Sequence, residues 1–182
     1  MTERLQSERL YYRKFTSTDA PLLFSLDSIA EVHRYLGNNP LTHLEQAEPV
    51  ILSLLEQYQT HNIARWATFE KESDAFIGWS GLKFITEEEN NRNHFYDVGY
   101  RFIPSFWGKG YATEAALFAL DYGFSHFNMD HIVGTVNQEN AASKRVLEKC
   151  GLSFIETFFW RNIPCDWMEI SRSKWSEKHG GA

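Results

Sequence analysis

Apolar residues recur with two different periods along this chain, and the changes of period mark its elements. Residues 8–15 (ERLYYRKF) read as a first strand. Thr18 and Asp19 then precede Leu22, Leu23 and Leu26 at helical spacing, with Asp19 expected as the cap. A short helix is expected over 28–35, before Gly37 and Pro40 break the chain. Thr42 followed by Glu45 has the form of a capping box. The helix it opens runs to about His61 and carries Val50, Ile51, Leu54, Leu55 and Tyr58 as one apolar stripe. Residues 64–70 and 75–85 read as a hairpin about the turn at 71–74, and 86–93 as a polar loop. A strand over 94–103 ends at Pro104, and an Ala-rich helix follows over 112–126. Residues 131–136 form a strand, 140–149 a helix stopped by Gly151 at C′, and 152–161 and 165–174 two aromatic strands. The tail KHGGA is expected to fray. This order predicts one mixed α+β domain over residues 1–182, with a βαβαβ portion toward the C-terminus.

Composition narrows the function more than the fold. Eighteen Lys and Arg against 24 Asp and Glu leave a net charge of −6, the wrong sign for direct nucleic-acid binding. No apolar run is long enough to cross a membrane, and the opening MTERLQSERL lacks a signal core, so a cytoplasmic location is expected. Two cysteines make no disulfide framework, and the seven histidines stand at no metal-binding spacing, so no metal site is expected. Aromatic content is high at 15%, which a sheet core accounts for in most positions.

The sharpest local feature is the run Trp107, Gly108, Lys109, Gly110, Tyr111, Ala112, Thr113, between a strand and a helix. Such a turn offers backbone N–H groups at the positive end of a helix dipole, which suits phosphate. It lacks the GxxxxGK[ST] of a nucleotide-triphosphate loop. It also lacks the third glycine of a dinucleotide fingerprint, where Thr113 stands, and Asp130 precedes the next strand instead of following it.

The run matches a third pattern better. It resembles the pyrophosphate loop of the GCN5-related N-acetyltransferases (GNAT), Gln/Arg-x-x-Gly-x-Gly/Ala, with Trp107 at the leading position. The segment from Asn137 to Leu152 (NQENAASKRVLEKCGL) resembles the family's N-x-x-N-x-x-S-x-x-[VL]-x-E-K-x-G-F. WGKGYATEA, IGWSGL, DVGYRF and the opening TERLQSERLYYRKFTSTDAPLLFSL extend the likeness over nearly the whole chain. It is similar in particular to the ribosomal-protein N-terminal acetyltransferases of the Rim type, in which Trp commonly occupies the Trp107 position.

The resemblance implies a central mixed, mostly antiparallel sheet of six to seven strands, flanked by helices and splayed between the cofactor strand and the next. It implies acetyl-CoA as cosubstrate, pyrophosphate donors from Gly108, Lys109, Gly110, Tyr111 and Ala112, and a hydroxyl from Thr113. Tyr100, Arg101, Phe102 and Ile103 would lie along the pantetheine arm. Asn140 would cap its helix and touch the arm, and Ser143 would protonate the departing thiolate, directly or through water. Asp97 is the expected base, with Glu70 or a water chain as the alternatives. Tyr35, Leu36, Trp79 and Trp66 would border the acceptor, Trp66 more as core, and Lys144 and Arg145 would stand near a 3′-phosphate if not simply solvated. The implied function is direct acetyl transfer in a ternary complex to a primary amine, in the Rim manner a protein N-terminus. A small-amine acceptor (polyamine, amino acid or aminoglycoside) and a non-catalytic acyl-CoA-binding module on the same fold stay open. A homodimer would follow family habit, and neither nucleic acid nor membrane is expected as a partner.

Overall fold

A computed structural model describes residues 4–179. Eight strands form one sheet in the order β1-β2-β3-β4-β5-β6-β8-β7. They are β1 Leu5–Gln6, β2 Leu10–Arg13, β3 Trp66–Glu70, β4 Phe76–Ile85, β5 Phe95–Phe102, β6 His131–Asn137, β7 Ser153–Trp160 and β8 Ile163–Ser171. The helices are α1 Ala20–Asp27, α2 Glu48–His61, α3 Tyr111–His126, α4 Ala141–Lys149 and α5 Arg172–His179. Every neighbouring pair of strands is antiparallel except β5 and β6.

The strand count exceeds the expected six to seven because Leu5–Gln6 folds back on Tyr11 and Tyr12. Two residues are too few to carry an alternating pattern. The expected βαβαβ portion is present as β5-α3-β6-α4-β7, but β8 inserts between β6 and β7. That places an antiparallel partner on the far side of β6.

Four local expectations change. Asp19 stands at the start of α1, but its carboxylate accepts from Thr16 N (2.7 Å) and Arg13 (2.6 and 2.9 Å) rather than from the helix. The capping residue before α2 is Gln46, not Glu45: its Oε1 accepts from the N–H of Thr42 and His43 at 2.7 and 2.9 Å. The expected helix over 28–35 is a single 3-10 turn, Ala30–His33. The last strand ends at Ser171, and the next residues form α5. That helix has one buried apolar residue, Trp175, packed against Phe124 with ring centroids 5.8 Å apart, so it carries no periodic signal. Arg172 anchors it by donating to the carbonyls of Phe124, Phe127 and Met129 at 2.6–3.0 Å, where α3 runs out of internal partners. Of the tail expected to fray, Lys178 and His179 belong to α5, and residues 180–182 lie outside the described residues, as do 1–3.

Alternation along β5 sends its side chains to two different places. Tyr96, Val98, Tyr100 and Phe102 pack with the buried core under α3. Phe95, Asp97 and Arg101 face a cavity on the side of α1 and α2. The sheet opens beside this strand. Its eight residues pair fully with β4 and the seven of β6 pair fully with β8, yet β5 and β6 share one register pair, Asp97 with Val133.

Candidate active site

The opening between β5 and β6 leaves main-chain groups without ladder partners. Ile103 N–H donates to Ile77 O at 2.9 Å. By antiparallel alternation the N–H of Arg101 also faces β4, while those of Tyr100 and Phe102 face the gap. Of the four residues expected along a cofactor arm, Tyr100 and Phe102 therefore present main-chain donors there. Arg101 and Ile103 turn theirs away. Phe102 O is already taken, by Trp107 Nε1 at 2.6 Å. That bond ties the glycine turn to the end of β5 and gives the indole a job at the position where the loop pattern has Gln or Arg.

The turn itself has the geometry the sequence suggests. Gly108 and Gly110 adopt φ of +74° and +82°, a region that side-chain-bearing residues rarely enter, and nothing approaches within 4 Å of a Cβ built on Gly108. Glu114 N–H makes the first intrahelical bond of α3, to Gly110 O at 3.1 Å. The N–H groups of Tyr111, Ala112 and Thr113 are thus the orphan donors of the helix start, and no side chain caps them. Lys109 is exposed, with Nζ 4.9 Å from the Phe106 ring centroid. This cradle fits a pyrophosphate.

On the β6 side of the gap, Asn140 caps α4 by accepting Ser143 N–H at 3.1 Å. Ser143 Oγ lies 3.0 Å from Tyr100 Oη, and the tyrosine hydroxyl also donates to Ser143 O at 3.1 Å. Burial pushes the Tyr100 phenol above its ordinary range, so it is protonated at neutral pH. Two hydroxyls therefore stand side by side where only Ser143 was expected. Lys144 is committed to Asp166 at 2.5 Å, and Arg145 is exposed.

The cavity on the other face has a volume of about 410 Å³. It reaches both lips of the gap, Asp97 and Arg101 on β5 and Thr135, Val136 and Asn137 on β6, and Tyr35, Leu36 and Trp79 also line it. Trp66 faces away, buried against Phe118 and Tyr122 of α3. Glu70 is absent from the lining. It accepts from Tyr111 Oη and Ser73 Oγ beneath the glycine turn, and those hydrogen bonds hold its carboxyl below the usual range. Asp97 is paired with Arg65, whose guanidinium also donates to the carbonyls of Gly81 and Asp97. Gly99 makes room for that guanidinium, since a Cβ there would meet Arg65 Nη2 at 2.6 Å. Burial pushes the Asp97 carboxyl up, and the opposing pull of Arg65 does not cancel it.

Sequence reasoning missed three residues of the site. Arg65 is a lone arginine at the entry to a strand, with no pattern to mark it. Arg9 and Glu114 are separated by 105 residues, and only folding brings them together at 2.8 Å. Arg9 also donates to Lys109 O at 2.9 Å and lies over the Tyr111 ring, so β1–β2 brace the turn.

The family profile described as "Acetyltransferase (GNAT) domain" matches residues 9–153. Over 152 residues the chain is 35% identical to the uncharacterized N-acetyltransferase p20 of Bacillus licheniformis, covering 84% of this chain and 82% of that one. Its fold superposes on the ribosomal-protein-S5-alanine acetyltransferase of Vibrio fischeri with a TM-score of 0.73, at 20% identity over 95% of this chain and 98% of that one. It matches equally the spermidine N-acetyltransferase of Vibrio cholerae, solved with CoA and spermine, at a TM-score of 0.73, 22% identity, and 93% and 99% coverage. The glycine turn, the half-open sheet and these likenesses agree, and the chain belongs to the GNAT family of acetyl-CoA-dependent N-acetyltransferases.

Proposed function

We propose that this enzyme acetylates the N-terminal amine of a protein, in the manner of the Rim-type enzymes, by direct transfer. The observation that carries direct transfer is the cavity that opens onto the gap from the face opposite α3 and α4. An amine entering there meets the gap from one side while the donor's arm occupies it from the glycine turn. Both cysteines are buried and their thiols are pushed up by burial, Cys150 to about 12, so neither offers a thiolate for a covalent relay.

Acetyl-CoA supplies the acyl group and the thiolate that leaves. The residues of this chain do the rest. The N–H groups of Tyr111, Ala112 and Thr113 bind pyrophosphate at the dipole end of α3. The N–H groups of Tyr100 and Phe102 orient the arm and the acyl oxygen, where a fixed donor stabilises developing charge. Asp97 takes the proton that the amine must lose, and burial raises its proton affinity in the direction that task needs. The Tyr100–Ser143 pair supplies a proton on the other side of the gap, where sulfur departs. Likeness to the ribosomal-protein enzyme supports the acceptor, and likeness to the spermidine enzyme supports a small amine as the second reading.

The decisive experiment follows free-thiol release with N-terminal peptides and polyamines across pH 5–9. The expected result is a preference for peptides, with an acidic limb in kcat/KM that Asp97→Asn removes while the melting curve stays cooperative. An unchanged limb in Asp97→Asn rejects Asp97 as the base, and a preference for polyamines rejects the acceptor.

A further inference from the structure

The acceptor cavity has an ionic floor that constrains what binds there. Arg65 and Arg101 both approach Trp79, at 5.4 and 4.9 Å from its ring centroid, and each has its own counterion, Asp97 and Asp27. The two arginines differ in what remains of their hydrogen-bonding capacity. Arg65 is buried, and both its terminal nitrogens donate, Nη1 to two carbonyls and Nη2 to the Asp97 carboxylate. Arg101 gives Nη1 to Asp27 Oδ1 at 2.7 Å. Among the described residues its only side-chain hydrogen bond is that one, which leaves Nε and Nη2 without a partner, and its side chain keeps 21% exposure at the cavity.

Asp27 fixes that orientation. It is buried at the end of α1, and His33 Nε2 stands 3.7 Å from the same oxygen that Arg101 binds. Burial and the adjacent Arg101 both hold the His33 imidazole below its ordinary range, so at neutral pH it does not compete as a cation. The charged groups lining the cavity are Asp27, Glu89 and Asp97 against Arg65, Lys83 and Arg101. The acids do not outnumber the bases, whereas a site for a polycation needs an excess of acid. A planar guanidinium with free N–H groups is matched to a carbonyl or carboxylate oxygen.

We infer that Arg101 determines acceptor specificity by binding the carbonyl or carboxylate oxygen beside the reacting amine. The acceptor is then an α-amino carbonyl compound, a peptide N-terminus or a free amino acid, and not a polyamine. This rests on the acetyltransferase reading above and narrows its acceptor. Arg101 is the specificity residue, and Asp27 and Trp79 position it.

The test compares four acceptors in the intact enzyme: an alanyl tripeptide, alanine, isopropylamine (alanine with a methyl group in place of its carboxylate) and spermidine. Each acceptor is compared between wild type and variant, so that the different basicities of the amines cancel. Arg101→Gln is expected to raise KM for the tripeptide about tenfold to a hundredfold, the range for a lost charge-assisted hydrogen bond. The isopropylamine and acetyl-CoA KM values are expected to move by no more than about twofold. Alanine sharing the penalty identifies the carboxylate source as well, and alanine inert in wild type identifies the peptide. Arg101→Lys, which keeps the charge beside Asp27 but loses the fork, is expected to restore the melting temperature while KM for the tripeptide stays raised. An equal loss with every acceptor in both variants overturns the inference and leaves the N-terminal acceptor standing. A wild-type preference for spermidine, or no turnover of any acceptor, overturns both.

Discussion

Single residues at this site explain more than their motif positions do. Asn140 and Ser143 are legible in the sequence because a helix cap and a first-turn serine have fixed spacing, and the observed Oδ1 to N–H bond of 3.1 Å is what that spacing dictates. The partner of Ser143 is not legible. Tyr100 reaches it because alternation on β5 turns the phenol toward α4, 43 residues away in sequence. The pair predicts redundancy in the proton supply. Ser143→Ala and Tyr100→Phe are each expected to lower kcat by about tenfold to a hundredfold without abolishing turnover, since a free thiol's ordinary pKa of about 8.5 makes protonation helpful but not obligatory. The double variant is expected to lose less than the product of the two single effects, because the hydroxyls act as a unit. Pre-steady-state thiol release checks this, and full kcat in Ser143→Ala would remove the serine from the chemistry.

Among the elements, those with a strong period are where the sequence puts them. The α2 stripe buries Ile51, Leu54 and Tyr58, though Val50, expected in it, is exposed, and α3 begins within one residue of its expected start. Misplaced elements share a cause, which is that something distant stabilises them. β1 exists by pairing with β2, and α5 exists because Arg172 finds the carbonyls at the end of α3. The capping residue moved from Glu45 to Gln46 because the 3-10 turn Leu44–Gln46 turns the second side chain back toward the chain. The glycine turn combines both kinds of information. Its residue types are local, but its shape is held by Trp107 on Phe102 O and Arg9 on Lys109 O. Gly110→Ala forces a left-handed backbone on alanine, at a cost of about 1–2 kcal/mol. It also displaces the orphan N–H groups beside it. Urea unfolding is expected to show that loss, and KM for acetyl-CoA to rise while KM for the amine stays put.

For the whole molecule, ion pairs tie the N-terminal segment to the rest, and their titration sets the acid limit of the fold. Burial alone would raise the Asp19 and Glu114 carboxyls. The Arg13 and Thr16 groups around Asp19, and Ser7 and Arg9 around Glu114, hold both below their ordinary values. Depressed folded-state values mean the stabilisation is present above the unfolded values and is lost as pH falls through the folded ones. The melting temperature is therefore expected to drop between about pH 5 and pH 2. Asp19→Asn is expected to melt lower than the wild type at pH 7 and to converge with it at pH 2. A constant gap between the two across that range would contradict the linkage.

The sequence by itself determined the order of the strands from β2 to β8 and of the helices α1 to α4 among them, the glycine turn, the capped helix with Ser143, and through them the family. All of these are written in spacings of a few residues, which local backbone geometry reads directly. The tertiary structure alone decided where the sheet opens, which residues of β5 offer N–H groups to the gap, and which face of that strand lines the cavity. It also decided that Arg65, Arg101 and Asp27 meet at the floor of the cavity beside that gap. Those facts depend on strand register and on contacts between residues far apart in the chain, and no local period encodes either.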